Sequence, residues 1–289
     1  MDNYKTDNQE SKNNLISIKD LNFTYSETKS NSSVNQNTDS FVLKNISLDI
    51  SKGDFVSVIG KNGSGKSTLV KLIAGIIGGY TGQINIDSED INSIVRKDLS
   101  KKLSYLPQST VTFNDNLIVK DFLLLGRYAY KKFSDFRYNP EDLKIVNESI
   151  EVTSIGELAG KYFHELSGGE KQKVLLTLSL VQLNISESLK NKILIIDEPL
   201  TYLDVTYQFE IFNIIKKLRE NGLTVLIVIH DLNLALRFTD KTILMNNGEI
   251  IKYDESKNVI TEDILREHFK IESEILKFEK NYFVNYLHN

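Results

Sequence analysis

Not one cysteine occurs in the 289 residues. Disulfides, thiolate catalysis and zinc–thiolate sites are therefore excluded, and a secreted disulfide scaffold with them. The cytosol is the compartment this composition predicts. An excess of positive charge is missing too: 35 Lys and Arg stand against 39 Asp and Glu, a formal net charge of −4. Proteins that track a phosphate backbone concentrate Lys and Arg well beyond this, so nucleic acid is not an expected partner. Long hydrophobic runs are also lacking. Met1 to Asn14 is polar, without the apolar centre of a signal peptide, and stretches such as Val174 to Leu183 are too short and interrupted to span a bilayer. Attachment to a membrane, if any, is expected to be peripheral and through another protein.

A hydrophobic content of 40% is enough to bury a substantial core, as one large α/β domain or one domain with an inserted subdomain. Leu15 to Tyr25 alternates as a strand does, and Ser26 to Ser40 then offers almost nothing to bury and reads as a surface loop. Phe41 to Ile50 and Asp54 to Ile59 read as strands, the second running into Gly60 and an apolar helix from Ser67 to Ala74. From Lys101 to Asn184 strand signals nearly vanish and helical patterns take over, at Val119 to Leu125, Glu141 to Val152 and Gly169 to Leu183. Strand character returns at Ile193 to Ile196 and Leu223 to Ile229, around an amphipathic helix from Val205 to Glu220 that Gly222 ends. Two buried strands joined by a crossover helix predict a largely parallel main sheet. Asn247-Gly248 marks a hairpin between Thr242 to Met245 and Ile250 to Tyr253, and the tail from Ile260 to Asn289 reads as one helix and two short strands.

Gly60-Lys61-Asn62-Gly63-Ser64-Gly65-Lys66-Ser67 matches the phosphate-loop pattern G-x-x-x-x-G-K-[ST] between a predicted strand and a predicted helix, the context that pattern requires. Glycines let backbone N–H groups converge on phosphate oxygens at a helix N-terminus. Lys66 adds a point charge, the Ser67 hydroxyl can ligate Mg²⁺, and Thr68 completes the nucleotide-binding stretch. Ile193-Leu194-Ile195-Ile196-Asp197-Glu198 is an apolar strand ending in two carboxylates, where strand ends of an α/β sheet line a ligand crevice. Asp197 suits the Mg²⁺ shell, and Glu198 suits a general base polarising a water. Leu166-Ser167-Gly168-Gly169-Glu170 opens a long helix, making a second anion-binding terminus or a capped permissive turn.

From about Leu15 to Tyr253 these segments, in this order, resemble the nucleotide-binding subunits of ABC transporters. The resemblance implies an α/β fold of the P-loop NTPase type: an ABC-type nucleotide-binding domain with an inserted helical subdomain and a small N-terminal antiparallel β region. It divides the chain into a flexible N-terminus over 1–14, an ATPase domain over 15–253 with the helical subdomain at about 107–184, and a tail over 254–289. L-S-G-G-E resembles the ABC signature, and Gln108 falls at the Q-loop glutamine, which also serves Mg²⁺. Leu203-Asp204 resembles the D-loop, His230 the switch histidine, and Tyr25 the aromatic that stacks on adenine. ATP and Mg²⁺ are the implied cofactors and ATP hydrolysis the implied activity, with Glu198, His230 and Gln108 as catalytic residues. The resemblance further implies a head-to-tail homodimer in which Ser167, Gly168, Gly169 and Glu170 of one subunit complete the γ-phosphate site of the other.

Val119 to Tyr128, Thr201 to Asp204 and His230 to Ala235 look like the subgroup that imports ferric siderophores, haem and cobalamin. That implies a separate membrane permease, an extracytoplasmic solute-binding protein, and a place on the cytoplasmic face of the cell membrane. The permease's coupling helix is expected on the helical insertion. The alternative is a soluble ABC ATPase of the translation or repair type. Such proteins usually carry two cassettes or a long coiled coil, and a single cassette without heptads speaks against it.

Overall fold

The computed structural model describes residues 13–25, 42–108, 116–132, 137–198, 204–279 and 281–287. Residues 1–12 of the expected flexible start over 1–14, the polar loop over 26–40 and the subgroup residues Thr201, Tyr202 and Leu203 lie outside them.

In chain order the elements are β1 (Asn14–Thr24), β2 (Val42–Ser51), β3 (Phe55–Ile59), α1 (Lys66–Ile73), β4 (Thr81–Ile86) and β5 (Glu89–Asp90). There follow α2 (Arg96–Lys102), β6 (Leu103–Leu106), α3 (Val119–Leu124), a 3-10 turn (Leu125–Tyr130), α4 (Pro140–Thr153) and α5 (Gly168–Leu183). Next come β7 (Ile193–Asp197), α6 (Val205–Glu220), β8 (Thr224–Val228), α7 (Leu232–Phe238), β9 (Lys241–Asn246) and β10 (Glu249–Glu255). The chain closes with the short helices α8 (Ser256–Val259) and α9 (Glu262–Ile264), then β11 (Ser273–Phe278) and β12 (Asn281–Tyr286).

Two compact units divide the chain. The first is Met1–Ile50, Val56–Ile91 and Ile229–Asn289; the second is Ser51–Phe55 and Asn92–Val228. In the first, β1 lies between β2 and β4 and pairs antiparallel with β4, and β9 lies between β10 and β3, antiparallel to the former and parallel to the latter. Ser57, Thr239, Thr242 and Ser256 share hydroxyl hydrogen bonds of 2.7–3.0 Å, so the polar atoms buried beside β3 satisfy one another. The β9–β10 turn is a tie point: the Gly248 N–H donates to the Ser64 carbonyl at 3.0 Å, and its carbonyl accepts from the Lys44 N–H at 2.9 Å. A hairpin turn thus holds the loop that precedes α1.

In the second unit β7 lies between β8 and β6, parallel to both. Every residue of β7 and β8 is buried, which explains their unbroken apolar runs: a parallel strand covered on both faces has no polar side to alternate with. Helix α5 is the hub of the helical part, buried on nearly every face. The Gln182 side-chain amide donates to the carbonyls of Ser100 and Leu103 at 2.8 and 3.0 Å, fastening α5 to the start of β6. Arg127 and Asp142, both buried, pair at 2.9 Å; the guanidinium also donates to the Val181 carbonyl and stacks on Tyr130 at 3.7 Å. Multiple partners offset the desolvation of that buried pair.

The hairpin, the amphipathic α6, the parallel main strands and the tail with two strands stand as expected. Although strand signals nearly vanish from Lys101 to Asn184, β6 lies inside that range. Its four residues are paired parallel to β7 and mostly buried, too short and too two-sided to show a period of two. Strand β4 and helix α2 also had no counterpart in the pattern. Half of β4 is exposed, so only Ile84 and Ile86 mark its buried face.

Candidate functional site

The first unit holds Tyr25, the phosphate loop and His230. β3 delivers the chain to Gly60 at φ +151°, where a Cβ would stand 2.3 Å from the Met245 carbonyl oxygen and 2.7 Å from the Ser64 hydroxyl. Only glycine fits there. Gly63 and Gly65 have positive φ as well, at 78° and 108°, and Gly65 is the N-cap of α1 with no side-chain cap. Successive amides turned in this way form an anion-binding concavity at the positive end of a helix. The Lys66 ammonium is buried and donates to the carbonyls of Gly60 and Lys61 at 2.9 and 3.1 Å, arching back over the loop. Ser64 Oγ is buried without a hydrogen-bond partner among the described residues, an unmet polar atom inside the cradle. These features fit a bound phosphate chain.

Tyr25 follows β1 directly, and its hydroxyl lies 3.2 Å from Thr68 Oγ1 on α1. Tyr25 is 46% exposed and its ring is braced edge-on by Phe23 at 4.8 Å, so an aromatic side chain stands beside the loop. His230 is exposed and follows Ile229, whose N–H donates to the Val58 carbonyl at 3.2 Å. That bond sets His230 at the end of β3 from which the phosphate loop departs.

The second unit holds Gln108, Asp197 and Glu198, and separately the Ser167–Glu170 turn and Asp204. Asp197 is buried and accepts from the Tyr105 hydroxyl at 2.9 Å. Burial first, and the Asp197 carboxylate second, push the Tyr105 phenol far above its ordinary range, so it stays a donor. Glu198 has φ +49°, uncommon for a residue with a side chain, and accepts from Gln108 Nε2 at 2.6 Å. β6 and β7 run parallel with Leu106 opposite Ile196, which brings Gln108 and Glu198, each two residues further on, within bonding distance.

At the head of α5, Ser167 is the N-cap: its hydroxyl accepts from the Glu170 N–H at 3.3 Å, and the Glu170 carboxylate accepts from the Ser167 N–H at 2.8 Å. The backbone bond from Ser167, then its hydroxyl, hold the Glu170 carboxyl below its ordinary range. A Cβ on Gly169 would stand 3.2 Å from the Tyr207 ring. Tyr207 sits on α6, whose N-cap Asp204 accepts from the Tyr207 N–H at 3.0 Å. Lys173 lies 4.7 Å over the same ring and pairs with Glu210. The turn at Ser167 and the turn at Asp204 are therefore packed through one aromatic ring. Sequence reasoning missed both Tyr105 and Tyr207. The first has no local signal, since its partner is 92 residues away; the second lies three residues past a readable Asp N-cap.

Residues 43–201 match the family model described as ABC transporter. The chain is 35% identical over 240 residues to the iron(3+)-hydroxamate import ATP-binding protein FhuC of Bacillus subtilis (strain 168), covering 82% of this chain and 86% of that protein. It is 33% identical over 245 residues to the petrobactin import ATP-binding protein FpuC of Bacillus anthracis, covering 84% and 87%. A dimeric ATP-binding cassette solved in a post-hydrolysis state with ADP and Pi matches with a TM-score of 0.67 at 26% identity, over 83% of this chain and 98% of that one.

Proposed function

The chain belongs to the ABC transporter family as an ATP-binding cassette ATPase, and on that premise we propose that it is the ATP-hydrolysing subunit of an importer for an iron chelate, a ferric siderophore first among them. The observation that carries the ATPase reading is the glycine-shaped, side-chain-free N-terminus of α1 with Lys66 buried across it. The cargo reading rests on the relatives, which are named for the import of ferric hydroxamates and petrobactin. On this reading residues 15–253 are the ATPase domain, 107–184 its helical insertion and 254–289 a tail. The protein works peripherally on the cytoplasmic face of the membrane, beneath a separate permease and with an extracytoplasmic solute-binding protein.

The amides of the loop and Lys66 hold the phosphates of ATP, and Tyr25 stacks on the adenine. Glu198 orients the attacking water, a role worth roughly 10² to 10⁴ in rate. The Gln108 amide fixes which way that carboxylate faces, and His230 donates to the γ-phosphate. Ser67, Asp197 and Gln108 offer hard oxygen donors of the kind Mg²⁺ takes. That ion, when bound, neutralises charge on the phosphates. On this reading the α5 terminus, with its Ser167 hydroxyl and backbone N–H groups, serves the γ-phosphate of a second copy, with Asp204 at the same seam. Neither copy then has a whole active site alone.

Purification of the tagged chain from its native membranes tests this. A polytopic permease together with a solute-binding protein is the expected company. Ribosomes or soluble partners alone would replace the importer with a non-transport ATPase.

A further inference from the structure

We propose that Asn233 is a positioning residue for His230, and that the C-terminal hairpin β11–β12 is the brace through which it acts. The inference rests on the reading of His230 as a γ-phosphate donor and concerns what holds it still.

His230 stands between two anchors. Behind it, Ile229 is bonded to β3. Ahead of it, Asp231 is the N-cap of α7, its Oδ1 accepting from the N–H groups of Asn233 and Leu234 at 2.8 and 3.1 Å. Helix α7 has seven residues, too few to hold its own direction in water. What α7 leans on therefore sets the direction of the histidine turn.

It leans on the hairpin. The side chain of Asn233 takes no part in the cap. Its Nδ2 donates to the Val284 carbonyl at 3.3 Å, and its Oδ1 accepts from the Val284 N–H at 2.7 Å. One side-chain amide thus occupies the place a neighbouring strand would take along β12. Val284 is in register with Ile275 on β11, and the Ile275 N–H is met by Glu262 Oε1 of α9 at 2.8 Å. Each edge of the hairpin is thus met at one position by a side chain from outside it. A two-stranded hairpin is marginal alone, and open strand edges seek partners, so these clamps are what give the hairpin a fixed place. Tyr286, on the same strand, lies near enough to feel the Asp231 charge: burial first, then that carboxylate, push its phenol up. Hairpin, Asn233, Asp231 and His230 form one connected series, and the ATPase reading gives the tail no other task.

The test uses the full-length chain and measures ATPase kcat, KM for ATP, ATP affinity by calorimetry and thermal unfolding. Asn233→Leu keeps the shape and deletes both bonds. Its kcat is expected to fall about tenfold, because small displacements of a reacting group are costly, while KM and ATP affinity hold. Ending the chain after Glu272 should give the same loss. In a His230→Ala background, Asn233→Leu should cost nothing further, since there is no longer a side chain to position. Should Asn233→Leu not fold, Val284→Pro removes the N–H from the other end of the same bond and carries the same expectation. Wild-type kcat in these variants, or a full extra tenfold loss on top of His230→Ala, would overturn the brace. Full activity in His230→Ala alone would instead overturn the histidine reading beneath it.

Discussion

Helix α1 begins at Gly65 in a left-handed conformation with no side chain over its amides, whereas α5 begins at Ser167 with a reciprocal capping box to Glu170. Both are glycine-rich helix starts, and by composition alone either could take an anion. The difference lies in what each leaves unmet. The α1 terminus has no side chain over its amides, arches Lys66 back over the loop and leaves Ser64 Oγ buried without a partner among the described residues. The α5 terminus caps itself and packs against Tyr207. What it offers beyond that is a serine hydroxyl at the positive end of a helix dipole, enough to complete another molecule's site and too little to make one.

The contrast breaks if the two termini respond alike to substitution. Ser167→Ala has the largest expected effect, about 10² to 10³ in kcat, the usual cost of a lost transition-state donor, with ATP affinity of the isolated chain unchanged. Ser167→Asp sharpens the point: aspartate is a good N-cap, so the melting temperature should hold while turnover is still lost. Lys66→Ala should do the reverse. It weakens ATP binding by roughly 2–3 kcal/mol, as loss of a bond to a charged partner does, and calorimetry reads it directly. Unchanged binding would defeat the phosphate-loop assignment. Tyr25→Ala should cost about 1 kcal/mol of nucleotide affinity with little effect on kcat, in keeping with base–aromatic stacking.

The smallest effect concerns the cap itself. Glu170 titrates below its unfolded value of about 4.3, so its contribution is fully present above that pH and is lost as pH falls through the lower, folded value. Glu170→Gln should lower the melting temperature modestly at pH 7, and the gap from wild type should narrow as the pH approaches about 4. A gap that is independent of pH would mean the carboxylate plays no part in the cap.

How much of this was legible beforehand depends on the range of the interaction. The phosphate loop, the carboxylates ending β7 and the Ser167 turn are contiguous, and each is written as a local pattern whose chemistry is local too. Strand β6 was not legible, because four residues, three of them buried, carry no period. Nor was the hydroxyl of Tyr105 on Asp197, the ring of Tyr207 under Gly169, or the Arg127–Asp142 pair. Each of these joins separate elements, and their partners are chosen by packing. The Asn233–Val284 pairing is the extreme case: a polar residue after a histidine and a valine near the chain end, joined across 51 positions.

The central claim is that the α5 terminus of one copy completes the nucleotide site of another. Glu198→Gln should stop hydrolysis while leaving ATP binding intact, so the closed dimer accumulates. Light scattering on that variant with saturating ATP should report twice the monomer mass, falling back to the monomer when Ser167→Asp is added. A Glu198→Gln chain that stays monomeric with ATP bound would contradict the account.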